Sequence, residues 1–143
     1  MGHLTIFSET GIPHAGCYLE YDDGGSAEWL GFFPWATGRW DDFLGGNGRI
    51  LTMSREDQIE YYVRYWFQDK IIRSARLDVV TSYWSAIYQL WTCDCVSFAR
   101  DMAGACGLET TGGPAFIPSS LVYDLQRLNS NYSQFNTRPF PWD

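Results

Sequence analysis

Positive charge is sparse in this chain. Ten Lys and Arg are scattered among 143 residues against seventeen Asp and Glu, giving a net charge of −7 and a pI near 4.6. A nucleic-acid binder needs a basic footprint, and an anionic membrane surface needs a basic cluster, so neither is expected as a partner. No run of eighteen apolar residues occurs, so no membrane span is expected. The opening MGHLTIFSETG lacks a basic stretch followed by a long apolar core, so no general secretory signal is expected. The protein is then made in the cytoplasm, and any export would need a specialised secretion system. Histidine is scarcest of all, with only His3 and His14. Two imidazoles and a CxC pair fall short of the ligand sets that zinc uses, so no metal and no cofactor is expected. Cys93 and Cys95 are too close to pair easily. Cytoplasmic synthesis favours free thiols throughout, Cys17 and Cys106 included.

Aromatic rings, by contrast, are plentiful: seven Trp, nine Tyr and nine Phe. Either the core is rich in rings or some line a groove for sugar, peptide or a partner protein. At 45% apolar residues the chain is globular, and its length suits one domain with a single core.

The pattern reads as strands first and helices after, an α+β domain. LTIFSE (4–9) and HAGCYLEY (14–21) are β-type runs. DDGGS (22–26) is a turn, and AEWLGFF (27–33) closes a hairpin. Residues 34–49, with Pro and four Gly, read as a loop whose Trp35, Thr37 and Trp40 are candidates to line a substrate groove, beside Asp41 and Asp42. ILTM (50–53) suits a short strand. Ile59, Tyr62, Val63, Trp66 and Phe67 follow helical spacing, which predicts an amphipathic helix over 55–69. Residues 71–91 carry no clear period, and IYQLW within them reads as a strand or an irregular approach to the next helix. Ala99, Met102 or Ala103, and Cys106 form a stripe that predicts a helix over 95–106, ended by Gly107. Ser119 or Ser120 can cap a last helix bearing Leu121, Val122, Leu125 and Leu128. The tail 129–143 reads as loop, leaving a core of about 4–128.

Cys95 falls at the first turn of its helix, with Thr92 or Asp94 as N-cap. Unpaired N–H groups and the helix dipole there favour a thiolate. Cys106, on the buried stripe, and Cys17, at mid-strand, read as core; Cys93 lies outside the helix. A nucleophilic thiolate needs a base. His14 opens a strand and can be held by a sheet, whereas His3 lies near the terminus. One cysteine with a distant histidine is the pattern of a cysteine hydrolase.

Four stretches taken in order, PHAGCYLEY, LGFFP, TCDCVSFA and GLETTGGPAFIPSSLVYDL, resemble landmarks of the circularly permuted branch of the NlpC/P60 papain-like cysteine hydrolases. There the His-bearing strand precedes the Cys-bearing helix. The resemblance implies a small antiparallel sheet packed on helices, in one catalytic domain over 1–143. It makes Cys95 the nucleophile and His14 the general base, with the helix start at Asp94 and Cys95 stabilising an oxyanion. It implies an amide bond in peptidoglycan peptides as substrate, hence a cell-wall amidase or endopeptidase. An antibacterial effector exported to the periplasm of a target cell, with a cognate immunity protein as partner, would suit such a chain. Lipid acyltransferases and acyl-hydrolases share the branch, and a non-catalytic binding module is the third alternative. Asp94 departs from the Asn common before the nucleophile; its carboxylate would raise the thiol pKa by charge repulsion unless it is turned into a cap. The third catalytic residue is expected opposite His14 near Pro34, in Trp35 to Thr37 or as a backbone carbonyl. Glu20 lies about 20 Å along its strand from His14.

Overall fold

A computed structural model of the chain describes residues 1–10, 14–34, 44–52, 56–89, 93–112, 117–130 and 133–136. Within them lie seven strands and three α-helices: β1 (Gly2–Glu9), β2 (His14–Glu20), β3 (Glu28–Pro34), β4 (Leu44–Leu51), β5 (Ile59–Phe67), α1 (Asp69–Tyr83), β6 (Ile87–Gln89), α2 (Cys95–Ala105), α3 (Pro118–Leu128) and β7 (Ser133–Asn136). The strands form one sheet in the order β6-β4-β3-β2-β1-β5-β7, and every neighbouring pair is antiparallel. The α+β class is as expected from sequence.

Strand alternation divides the sheet into two faces. Leu4, Ile6, Ala15, Cys17, Leu19, Leu30, Phe32, Val63 and Tyr65 join buried residues of all three helices in the main core. Phe7, Ile59 and Tyr62 form a smaller cluster with Tyr18 and Trp29 on the other face. α1 buries Ile72, Ala75, Val79 and Tyr83 at helical spacing. Its Asp69 accepts the N–H groups of Asp22 and Asp23 at 3.1 and 2.9 Å, tying the β2–β3 turn to the helix start. Arg73 to Asp23 and Arg76 to Glu28 add ion pairs along the same seam.

Four predicted elements are corrected. Residues 59–67 are a strand, not part of a helix over 55–69: Tyr, Val, Trp and Phe fit a pleated surface as well as a helical stripe, and pairing with both β1 and β7 decides the matter. The supposed stripe is split between faces, with Val63 in the main core, Ile59 and Tyr62 in the smaller cluster and Trp66 exposed. The glycine-rich part of the 34–49 loop is β4, and a Cβ on Gly48 would overlap the Phe32 ring. That glycine makes room for a core side chain and does not mark a turn. α3 starts at Pro118 with Ile117 as cap, because proline's fixed φ suits a first helical position, and no serine caps it. Ser133–Asn136 pairs with β5, so the tail is not all loop; without that pairing the N–H and C=O groups on that side of β5 would lack a ladder. Residues 71–91, unassigned from sequence, hold most of α1 and all of β6.

Candidate active site

Helix α2 begins with a local device written in four residues. The Asp94 carboxylate accepts the N–H groups of Val96 and Ser97, both at 3.0 Å, while the Asp94 N–H donates to Ser97 Oγ at 2.7 Å. This capping box uses Ser where Glu or Gln is usual. Tyr83, at the end of α1, donates to Asp101 at 2.6 Å and lies 3.3 Å from Ser97 Oγ, so two helices hold the same turn. Asp94 is therefore the N-cap, with its Oδ1 accepting both N–H groups of the helix start.

Cys95 follows and is only 5% exposed. Its sulfur accepts the N–H of Ala15, the residue next to His14, and the hydroxyl proton of Tyr88. The Tyr88 oxygen in turn receives the Cys95 N–H. Burial, aided by the Asp94 charge, outweighs these donors and the Val96 N–H and pushes the thiol up to about 11. The sequence expectation of a helix start that favours thiolate is thus overturned by desolvation. The N–H groups of Val96 and Ser97 are taken by Asp94, and the two remaining donors beside the sulfur are already engaged, the Cys95 N–H with the Tyr88 oxygen and the Tyr88 hydroxyl with the sulfur itself. Tyr88 was not legible from sequence. It lies seven residues upstream on β6, buried well enough to push its hydroxyl far up, and it stacks on Phe32 at 5.3 Å.

The other thiols fit the expected assignments. Cys17 is buried at mid-strand, and Cys106 is pushed up to about 12 by burial alone. Cys93 is half-buried before the helix, and all four are free. Among the described residues no group of three His, Cys, Asp or Glu side chains comes together as metal ligands.

His14 is the first residue of β2 and 7% exposed. Its ring stacks on Phe33 at 4.3 Å, and Nε2 lies 3.0 Å from the place a Cβ on Gly31 would take. Gly31 of LGFFP thus clears space for the imidazole. The β2–β3 ladder pairs Leu19 with Glu28, Tyr18 with Trp29 and Cys17 with Leu30. Continued by three residues, it sets Phe33 opposite His14, one place from the position expected. His3 is paired within β1, edge-on to Trp66 at 5.3 Å, about 20 Å along the strand from Glu9. Glu20 pairs with His3 in register and bridges to Arg64 at 3.0 Å, so neither serves this end of the sheet. Trp35, Thr37, Trp40, Asp41, Asp42 and Thr92 lie outside the described residues.

No protein-family model matches this sequence, and no curated protein sequence does. The fold is a known one. It is similar to that of the type VI secretion system effector TseH, with a TM-score of 0.56 over 94% of this chain and 96% of that one. Identity to TseH is 15%, so the likeness is one of fold. No helix among the described residues is long and apolar enough to cross a membrane.

The cap separates two roles of Asp94. Asp94→Ala is expected to cost about 1 kcal/mol of stability in urea denaturation, the usual worth of an N-cap. Asp94→Asn keeps an acceptor for the two N–H groups and is expected to stay within about 0.5 kcal/mol. It also removes the charge that raises the Cys95 pKa. The alkylation profile of Cys95 should then move to lower pH, and an unmoved profile would assign the raised pKa to burial alone.

Proposed function

We propose that the protein is a thiol hydrolase of amide bonds, with Cys95 as nucleophile and His14 as general base. The observation that carries this reading is the Cys95 thiol at a rigidly capped helix start, against the amide next to His14 and beside two donors. With the thiol raised to about 11, on the order of one molecule in ten thousand would hold a thiolate at pH 7 unaided. Proton transfer to an imidazole as the sulfur attacks removes that handicap.

His14 takes the Cys95 proton while sulfur bonds to the carbonyl carbon. The carbonyl oxygen, now negative, receives the Tyr88 hydroxyl, which leaves the sulfur, and the Cys95 N–H, which leaves the Tyr88 oxygen. The C–N bond breaks as His14 returns the proton to the leaving amine, leaving a thioester. Water, deprotonated by His14, attacks that thioester and releases a carboxylic acid and the thiol. The substrate class we propose is a peptidoglycan peptide, and the role that of an exported antibacterial effector with a cognate immunity protein. The shared fold with a secretion-system effector supports the role, by analogy of fold.

The test is incubation of purified sacculi with the protein and with Cys95→Ala. New muropeptides with a free amine and carboxyl at the cut are expected from the first and not the second. Fatty-acid release from phospholipid with unchanged muropeptides would point to the lipid acyl-hydrolase reading. One observation favours a non-catalytic binding module: the thiol is buried and its pKa high. That module predicts no product from either substrate.

A further inference from the structure

The β1–β2 register places Glu9 directly opposite His14. Directly opposed residues share a face of the sheet with Cβ atoms about 5 Å apart. Both are buried, Glu9 at 4% and His14 at 7% exposure, at an end of the sheet that holds the Cys95 helix start. A carboxylate and an imidazole that are buried together without interacting would each bear a desolvation cost. On its other side Glu9 faces Ile59, an apolar residue, across a bulge in the β1–β5 ladder. The strand end is fixed just past Glu9, where the Thr10 N–H and hydroxyl both donate to the Gln58 carbonyl, at 2.8 and 3.2 Å. The row across the sheet is therefore Ile59, Glu9, His14, Phe33, Arg49, with the one carboxylate directly beside the one imidazole and the cation two strands from His14.

We propose that Glu9 is a positioning residue: its carboxylate accepts an N–H of the His14 ring, sets which ring nitrogen is free, and stabilises the imidazolium. A carboxylate hydrogen-bonded to the ring is the usual way a catalytic histidine is held. The position opposite His14 on β3, where the third catalytic residue was expected, is Phe33, which supplies a stacking surface and no acceptor. The polar partner comes instead from the strand on the other side. The inference rests on reading His14 as the base, but its first test does not depend on activity. Among the described residues, the other charged or ionisable groups near that end of β2 are Cys95 and Asp94 at the start of α2, Tyr88 on the Cys95 sulfur, and Arg49, which pairs with Phe33 across β3 and β4. β3 presents Gly31 and Phe33, and the main core lies on the opposite face, where Leu121, Val122 and Leu125 of α3 pack together with Cys95, Val96 and Phe98 of α2.

Two imidazoles make an NMR titration simple, with His3 as internal control. In Glu9→Gln the His14 midpoint is expected to fall by at least about half a pH unit, because a carboxylate favours the charged ring, while His3 stays. In the unmodified protein the Glu9 carboxyl carbon is expected to shift at the His14 midpoint, which needs no variant to fold. Hydrolysis by Glu9→Gln should lose kcat with little change in KM, and Glu9→Asp should regain part of it. An unmoved His14 midpoint, or a Glu9 carbon blind to His14, would overturn the role of Glu9 and leave the hydrolase standing. Coupled titrations in a protein that cleaves nothing would sink the hydrolase and leave the pair.

Discussion

Cys95→Ala is expected to lower hydrolysis at least a thousandfold while costing no more than about 1 kcal/mol of stability. The first figure follows from removing the nucleophile, after which only binding and oxyanion donors remain. The second follows from size, since the change deletes one sulfur atom and leaves the Asp94 cap intact. His14→Ala should lose a comparable factor, and the double variant little more than either alone, because base and nucleophile act as a unit. Additive losses in the double variant would mean that the two act separately. The comparison needs initial rates on isolated muropeptides and urea denaturation of each variant.

The second large effect lies in the core. Phe32 is fully buried and meets Tyr83 at 5.0 Å, Tyr88 at 5.3 Å and Phe98 at 6.3 Å. It therefore joins the end of α1, the strand bearing Tyr88 and the helix bearing Cys95. Phe32→Ala is expected to cost about 3–5 kcal/mol, the range for deleting a buried ring. That is about a fifth or more of a typical domain's stability, and in denaturant the midpoint should fall without a change of slope. Tyr88 would lose its stacking surface, so hydrolysis should fall in the fraction that stays folded. A loss below 1 kcal/mol would show that the surrounding rings close over the gap.

The start of α2 was legible in part, because a cap is local: Asp94 was one of two N-cap candidates, while Ser97, which completes the capping box, stands where Glu or Gln is the usual signal. The His14 hairpin was legible for the same reason: its turn residues and alternation are contiguous. What depended on register was not. Glu9 faces His14 through a strand pairing that no spacing in the sequence displays, and Tyr88 meets Cys95 only after β6 joins the far edge of the sheet. The helix predicted over 55–69 failed because bulky aromatic and β-branched residues satisfy both periods over a short window, and the sheet had a place for a strand between β1 and β7. The glycines of β4 read as a loop because their reason for being there, the Phe32 ring, lies on another strand.

Among the described residues the aromatic rings divide between core and surface. Phe32, Tyr83, Tyr88 and Phe98 are core, and they form the packing around the helix start. Trp66, Trp84 and Tyr123 are exposed. A ring-rich core and exposed rings are both present in one molecule.

The central claim is that His14 activates a thiol which burial would otherwise silence. Alkylation by iodoacetamide across pH 5–10, read cysteine by cysteine in peptides by mass spectrometry, tests it most directly. Cys95 is expected to label faster than Cys93 at pH 7, and in His14→Ala to fall to the slow rate of a thiol with a pKa of about 11. Labelling of Cys95 no faster than Cys93, with the same profile in both proteins, would contradict it.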